Sequence, residues 1–294
     1  MTESTSLAAG KLSIVGTPIG NLSDASPRVK ETLANADVIL CEDTRVTSKL
    51  LSAFGIHVPL QRCDQNIIAS QVKPTLERLR SGQHVAFVSD AGMPGISDPG
   101  QNLVDAALSE GLAIEVIPGP SAVTCALVAS GLASDHFFFE GFLPRKHGQI
   151  VERLQQLSTI PGALVLYESP FRVVSTVQAI AEVFPQRQVA LVRELTKLHE
   201  EVIRDRAPQL VKTLSTKENL KGECVLVVAA PSEDDLHRSA FHGDVSRQVS
   251  LEDAVAAGLA AGKRKSILAK ELSKSFAIAR DEAYQAILAQ EAAH

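Results

Sequence analysis

Val85-Ala86-Phe87-Val88-Ser89-Asp90-Ala91-Gly92-Met93-Pro94-Gly95-Ile96-Ser97-Asp98-Pro99-Gly100 is the stretch that decides the fold. Its first four residues are uniformly apolar, the pattern of a short strand buried on both faces of a sheet. Ten of the twelve that follow are small, acidic or turn-forming, and the chain then becomes helical over 103–110. Asp98 and Pro99 account for the far end of the loop as helix cap and first turn. Asp90 has no such duty. It stands directly after the strand beside Gly92, where an open parallel sheet places its ligand crevice. A carboxylate there is placed to accept sugar hydroxyls, and glycine lets a ligand come close.

The same grammar repeats outward. Upstream, Lys11–Val15 reads as a strand, Ser26 and Pro27 as cap and first residue of a helix to about 36, and Val38–Cys41 as a strand. Helices follow over 44–53 and 67–80, and a strand over 114–117 closes the series. Short apolar strands alternating with helices predict a largely parallel sheet covered on both faces. Beyond the turn at 118–121 the character is unchanged. Helices are expected over 122–129, 149–157, 172–183 and 208–214, with strands over 137–140, 163–167, Gln188–Arg193 and Cys224–Val228. The expectation is two α/β domains, 11–119 and 120–231. A polar linker follows over 232–246, then an Ala-rich tail of two or three short helices over 247–294.

Composition bounds the function. The chain has 294 residues, 45% hydrophobic and 21% charged, enough for two modest cores. No apolar run approaches the ~18 residues of a membrane span, and Met1 to Gly10 lacks the order of a signal peptide, so no membrane association and a cytoplasmic location are expected. Cys41, Cys63, Cys125 and Cys224 form no C-x-x-C pair, and the histidines show no ligand spacing. Reduced thiols and no metal are therefore expected. A net charge of −5 argues against bulk attraction to nucleic acid, though not against a local basic patch. With 4% aromatics and no tryptophan, no base-stacking platform is evident.

Every remaining cluster also follows a strand. Gly16-Thr17-Pro18-Ile19-Gly20-Asn21 has neither dinucleotide nor P-loop spacing, and Pro18 removes a backbone N–H that a phosphate would need. In Cys41-Glu42-Asp43-Thr44-Arg45, Asp43 or Thr44 serves either as a cap or in function. Capping needs one side chain, so Glu42 and Arg45 are read as functional. Pro118-Gly119-Pro120-Ser121-Ala122 is a rigid turn in which Ser121 caps the next helix, faces the crevice, or does both. Tyr167-Glu168-Ser169-Pro170-Phe171-Arg172 and Arg193-Glu194-Leu195-Thr196-Lys197 hold charges that, alone, would be surface ion pairs of little weight. Their repetition at strand ends points to a cleft facing the first domain. Lys221-Gly222-Glu223 enters the last strand. No Ser-His-Asp or Cys-His arrangement stands out, so a transfer reaction is favoured over covalent catalysis.

The runs GTPIGNL, CEDTR, SDAG-x-P-x-ISDPG, EGFLPRK, YES-x-x-R, RELTK and KGE, in this order from about Lys11 to Ala230, resemble the tetrapyrrole-methylase superfamily of S-adenosylmethionine-dependent enzymes. Within it they look like the small-subunit (16S) ribosomal RNA cytidine 2′-O-methyltransferases. The resemblance implies a class III methyltransferase-like fold of two α/β domains, S-adenosyl-L-methionine in the cleft between them, and a homodimer. It implies a cytidine ribose of 16S RNA as acceptor, in an assembled 30S particle. By motif, the cofactor would meet Pro18, Ile19, Asp90, Gly92, Met93, Ser121, Ala122, Tyr167, Leu195 and Gly222. Two departures are visible: threonine is usual where Met93 stands, and histidine is common at Val46. Met93 is expected to contribute through its backbone.

A ribose hydroxyl is a weak acid, so a base or strong acceptor is expected beside it. Glu42 is the first choice, with Asp43 and Glu168 behind it, and Lys197 only if burial lowers its pKa. Arg45, Lys146, Arg172 and Arg193 are candidate phosphate anchors, with Asn21 a further substrate contact. Lys263, Arg264, Lys265, Lys270, Lys274 and Arg280 make the tail either an RNA-docking element or a solvated helix face. Two rival readings remain: a superfamily methyltransferase acting on a corrin precursor, and a non-catalytic nucleotide-binding regulatory module.

Overall fold

The computed structural model describes residues 10–95, 100–217, 220–232, 235, 251–260, 263–276 and 278–292. By contacts the chain divides into one unit to Pro231 and a second from Ser232.

The first sheet is built from β1 (Lys11–Val15), β2 (Val38–Cys41), β3 (Leu60–Arg62), β4 (His84–Val88) and β5 (Ala113–Ile117), in the order β3-β2-β4-β1-β5 with every pair parallel. Alternate residues of β1, β2 and β4 feed two separate cores. Leu12, Leu40 and Phe87 pack with Leu76 and Leu79 of α3 (Ile68–Arg80) and Leu103 of α4 (Gln101–Ser109). Val15, Ile39 and Val88 pack with Val29 and Leu33 of α1 (Pro27–Ala34) and Leu51 of α2 (Thr44–Phe54). That two-sided burial is why these strands are apolar throughout. Ser26 caps α1 through Val29 N–H at 3.3 Å, with Pro27 at the first helical position. The expected cap at Asp98 lies outside the described residues.

The second sheet departs from expectation. β6 (Phe137–Phe142), β7 (Ala163–Glu168), β8 (Gln188–Arg193), β9 (Glu201–Arg206) and β10 (Cys224–Val228) lie in the order β6-β7-β10-β8-β9. Only β6 and β7 run parallel; β10 is antiparallel to both β7 and β8, and β8 turns directly into β9 as a hairpin. β9 was not foreseen because Glu-Val-Ile-Arg-Asp-Arg carries four charges. Charge is typical of an edge strand, which β9 is. β3 escaped because three residues give no periodicity. The helix α5 (Ala122–Ser130) covers one face of this sheet through Val123, Ala126 and Leu127. The helices α6 (His147–Gln156), α7 (Val173–Val183) and α8 (Ala207–Ser215) cover the other.

The tail holds α9 (Leu251–Ala260), α10 (Lys265–Phe276) and α11 (Arg280–Ala292), packed around their own core of Val255, Leu268, Ala269, Leu272, Ala283 and Ile287. Of the expected linker, only Ser232 and Asp235 lie within the described residues. Among those residues no helix is long and apolar enough to cross a membrane. All four cysteines are free thiols; burial pushes Cys63 up to about 12 and Cys224 up to about 11, so both are inert.

Candidate active site

The carboxyl ends of β1, β2, β4 and β5 meet the second sheet across a cleft of about 490 Å³, within the size range of small-molecule sites. Its floor is a crossing of three loops. Thr17 and Gly92 exchange backbone hydrogen bonds at 2.8 and 3.1 Å, and Gly16 N–H reaches Ile117 O at 2.9 Å. Gly92 has φ +81°, and a Cβ there would stand 3.3 Å from Ile19 and 3.5 Å from Pro120 O. Gly16 and Gly119 touch backbone to backbone: a Cβ on Gly16 would be 2.6 Å from Gly119 N. Met93 seals the crossing, its Sδ accepting Gly119 N–H at 3.3 Å. Met93 was expected to contribute through its backbone; its side chain also ties the acidic loop after β4 to the turn after β5.

The acidic wall comes from β2 and β4. Asp43 N–H donates to Asp90 Oδ1 at 3.1 Å, and Asp90 N–H to Glu42 Oε1 at 3.3 Å, so the two strand ends lock each other. Asp90 Oδ2 accepts no hydrogen bond among the described residues. Partial desolvation, reinforced by the Asp43 charge, pushes the Asp90 carboxyl above the usual aspartate range. Asp43 caps α2 through Arg45 N–H at 2.8 Å and pairs with the Arg45 guanidinium at 2.6 Å. That guanidinium holds the Asp43 carboxyl well below the usual range and makes it a poor base.

The second domain supplies the opposite wall. Tyr167 lies edge-on to Phe139 at 4.9 Å and tilted to Phe142 at 5.6 Å. Glu168 is buried and accepts from Ser169 N–H at 2.8 Å and Thr176 Oγ1 at 2.6 Å, with Arg172 at 3.3 Å. Gly222, at φ +88°, leaves room for the Glu194 carboxylate, which a Cβ would meet at 2.3 Å. Glu194 and Thr196 are themselves at φ 53° and 65°, strained conformations for non-glycine residues. They hold because Glu223 O accepts Glu194 N–H at 3.0 Å, Glu200 accepts Thr196 N–H at 2.7 Å, and Thr196 Oγ1 accepts Asn21 N–H from the first domain at 3.1 Å.

Eight of the ten expected cofactor positions line the cleft: Ile19, Asp90, Gly92, Met93, Ser121, Ala122, Tyr167 and Gly222; Pro18 and Leu195 do not. Ser121 sits at the N-cap of α5, but its side chain makes no cap bond. Glu42 and Glu168 also line the cleft. Lys197 fails the condition set for it. Burial works to lower its pKa, but hydrogen bonds to Glu194 and Glu223 at 2.8 and 3.1 Å outweigh that and raise it. Nor are all the arginines available as anchors. Arg172 is spent on Glu168 and the Leu143 and Pro144 carbonyls, and Arg193 on Glu201 and Lys221 O. Lys146 is exposed, and Arg45 is exposed with its charge paired to Asp43. Sequence reasoning missed Phe142, Ser169, Pro170, Glu223 and Val225, which also line the cleft. Four of them lie inside the quoted runs and Val225 stands just beyond the last, so the runs marked the place but not the side chain.

The family model for Tetrapyrrole (Corrin/Porphyrin) Methylases matches residues 11–211. The chain belongs to that family. This methylase is similar to a ribosomal RNA small subunit methyltransferase I of Thermotoga maritima, 44% identical over 75% of this chain and 98% of the relative. The protein of that name from Streptococcus pyogenes serotype M1 is 39% identical over 94% of each chain. Among solved structures, a uroporphyrin-III C-methyltransferase of Thermus thermophilus complexed with S-adenyl homocysteine matches at TM-score 0.53. It is 18% identical over 75% of this chain and 97% of that one, a likeness of fold. The fold of two α/β domains, class III methyltransferase-like with C-terminal helices, is the one the resemblance implied.

Proposed function

We propose that this methylase transfers a methyl group from S-adenosyl-L-methionine to the ribose 2′-oxygen of a cytidine in 16S ribosomal RNA. It would work in the cytoplasm as a homodimer on the assembled 30S particle. The observation that carries the reading is the match along 94% of both chains to a relative named for small-subunit ribosomal RNA methylation. The solved uroporphyrin-III C-methyltransferase, at 18% identity, supports the fold and not the acceptor.

The cleft residues fit the cofactor. Asp90 Oδ2 is available to ribose hydroxyls, Gly92 keeps the floor open where a side chain would crowd Ile19, and the volume suits a nucleoside-sized ligand. Bound there, the donor supplies a methyl group already activated by its sulfonium. The chain's own work is to align an acceptor oxygen, exclude water and take up a proton. Glu42 takes that role. Asp43 is neutralised by Arg45, Glu168 is saturated by its three donors, and Lys197 stays protonated.

The test is transfer of labelled methyl from S-adenosylmethionine to small subunits lacking the modification, followed by nuclease mapping. Label is expected on one ribose oxygen of a cytidine. Label on a base, or transfer to a corrin precursor in its place, would overturn the assignment.

A further inference from the structure

Phe171 is 93% exposed, although phenylalanine on a rigid loop gains nothing from water. The loop is rigid: Ser169 O accepts Arg172 N–H at 2.9 Å and Val173 N–H at 3.0 Å. Arg172 then staples it to the neighbouring loop, donating to Leu143 O at 3.2 Å and Pro144 O at 2.8 Å. That neighbour begins with Phe142, which lines the cleft yet is 60% exposed, and continues to Arg145 and Lys146. The exposed Arg145 and Lys146 have no carboxylate partner among the described residues, whereas Arg153 and Arg172, on the helix and loop beside them, are paired with Glu140 and Glu168. Pro170, which precedes Phe171, also lines the cleft. Two exposed rings and two unpaired cations therefore share the rim of the reaction cleft.

We propose that this rim binds single-stranded RNA, with Phe171 and Phe142 stacking on bases at or beside the methylated nucleotide and Arg145 and Lys146 contacting its phosphates. The inference rests on the ribosomal RNA reading above and adds the residues that grip the acceptor. Stacking on aromatic faces is how proteins hold unpaired bases, and it tolerates many sequences. Enzymes that modify a nucleotide inside folded RNA need such a surface to keep it out of the helix. A second copy of this chain would cover the rings, whereas two cations beside two exposed rings match the phosphates and bases of one RNA strand. RNA satisfies both features. The sparse aromatic content that argued against a stacking platform concealed two rings placed where they count.

Three variants test this on small subunits lacking the modification: Phe171→Ala, Phe171→Tyr and the double change Arg145→Ala with Lys146→Ala. Phe171→Ala is expected to raise the KM for subunits by about tenfold, the lower part of the range for losing one stacked base. Its affinity for S-adenosylhomocysteine should be unchanged, and Phe171→Tyr should restore the wild-type KM. The double variant should raise KM and flatten its dependence on salt. A Phe171→Ala KM within twofold of wild type overturns the proposal. So does conversion of a dimer to a monomer by that change, which would assign the rim to a second copy. Wild-type enzyme that methylates no ribosomal RNA defeats the parent reading instead; filter binding of that RNA to wild type and Phe171→Ala still reads the rim separately.

Discussion

Glu42→Gln is expected to slow methyl transfer by about 10²–10⁴-fold, the usual contribution of a positioned general base, while affinity for S-adenosylhomocysteine stays within about twofold of wild type. The two effects separate because Glu42 has two kinds of work. Its Oε1 accepts Asp90 N–H at 3.3 Å, a bond that a glutamine carbonyl still makes, so the loop carrying Asp90 stays in place. What glutamine lacks is the capacity to take a proton from a ribose hydroxyl. Single-turnover transfer with saturating cofactor reads the first quantity and calorimetry the second. Near-normal turnover would remove Glu42 as the base, and equal loss of both quantities would make it a structural residue of the strand ends.

Gly119→Ala is expected to lower cofactor affinity by at least about tenfold and to destabilise the fold by about 1–3 kcal/mol, the range for overpacked sites. The new methyl group would stand 2.6 Å from the Gly16 carbonyl carbon and 2.7 Å from its oxygen. Those atoms are backbone, held by Gly16 N–H to Ile117 O at 2.9 Å, so they can yield only by opening the crossing beneath the cleft. Gly148→Ala is the control. It lies in α6, where an added Cβ meets nothing within 4 Å, and alanine there should change stability by no more than about 1 kcal/mol. Thermal unfolding and calorimetry on the two variants decide the matter. Equal behaviour would show that the crossing tolerates expansion.

Much of this site could be read before the structure, because a strand end followed by an acid that no cap explains is a local pattern. Asp90 stood out in that way, and so did Glu42 once capping had claimed Asp43. Where the reading fell short, the cause lies in interactions between distant segments. Nothing near Met93 announces that its sulfur meets Gly119 across 26 positions, and nothing near Gly222 announces Glu194. The antiparallel turn of the second sheet depends on β9, whose charges disguise it as a loop. Arg193 looked available because its partner Glu201 lies beyond the motif that contains it, as does Glu223, which joins Glu194 on Lys197. Phe171 was one letter inside a recognised run, and only its exposure gives it meaning.

On the proposed function, the donor binds at the strand-end cleft with Asp90 as acceptor for its ribose. Calorimetric titration of S-adenosylhomocysteine against wild type and Asp90→Asn, at several pH values from roughly 4 to 7, tests it most directly. The ionised carboxylate accepts hydroxyls more strongly than the protonated form does. Because its pKa is raised in the folded protein, wild-type affinity should decline on acidification at a pH above the ordinary aspartate range. Asp90→Asn should bind at least about tenfold more weakly at neutral pH, as when a charged hydrogen-bond partner is lost, and should show no such decline. Wild-type affinity and pH dependence retained in Asp90→Asn would contradict this placement of the donor.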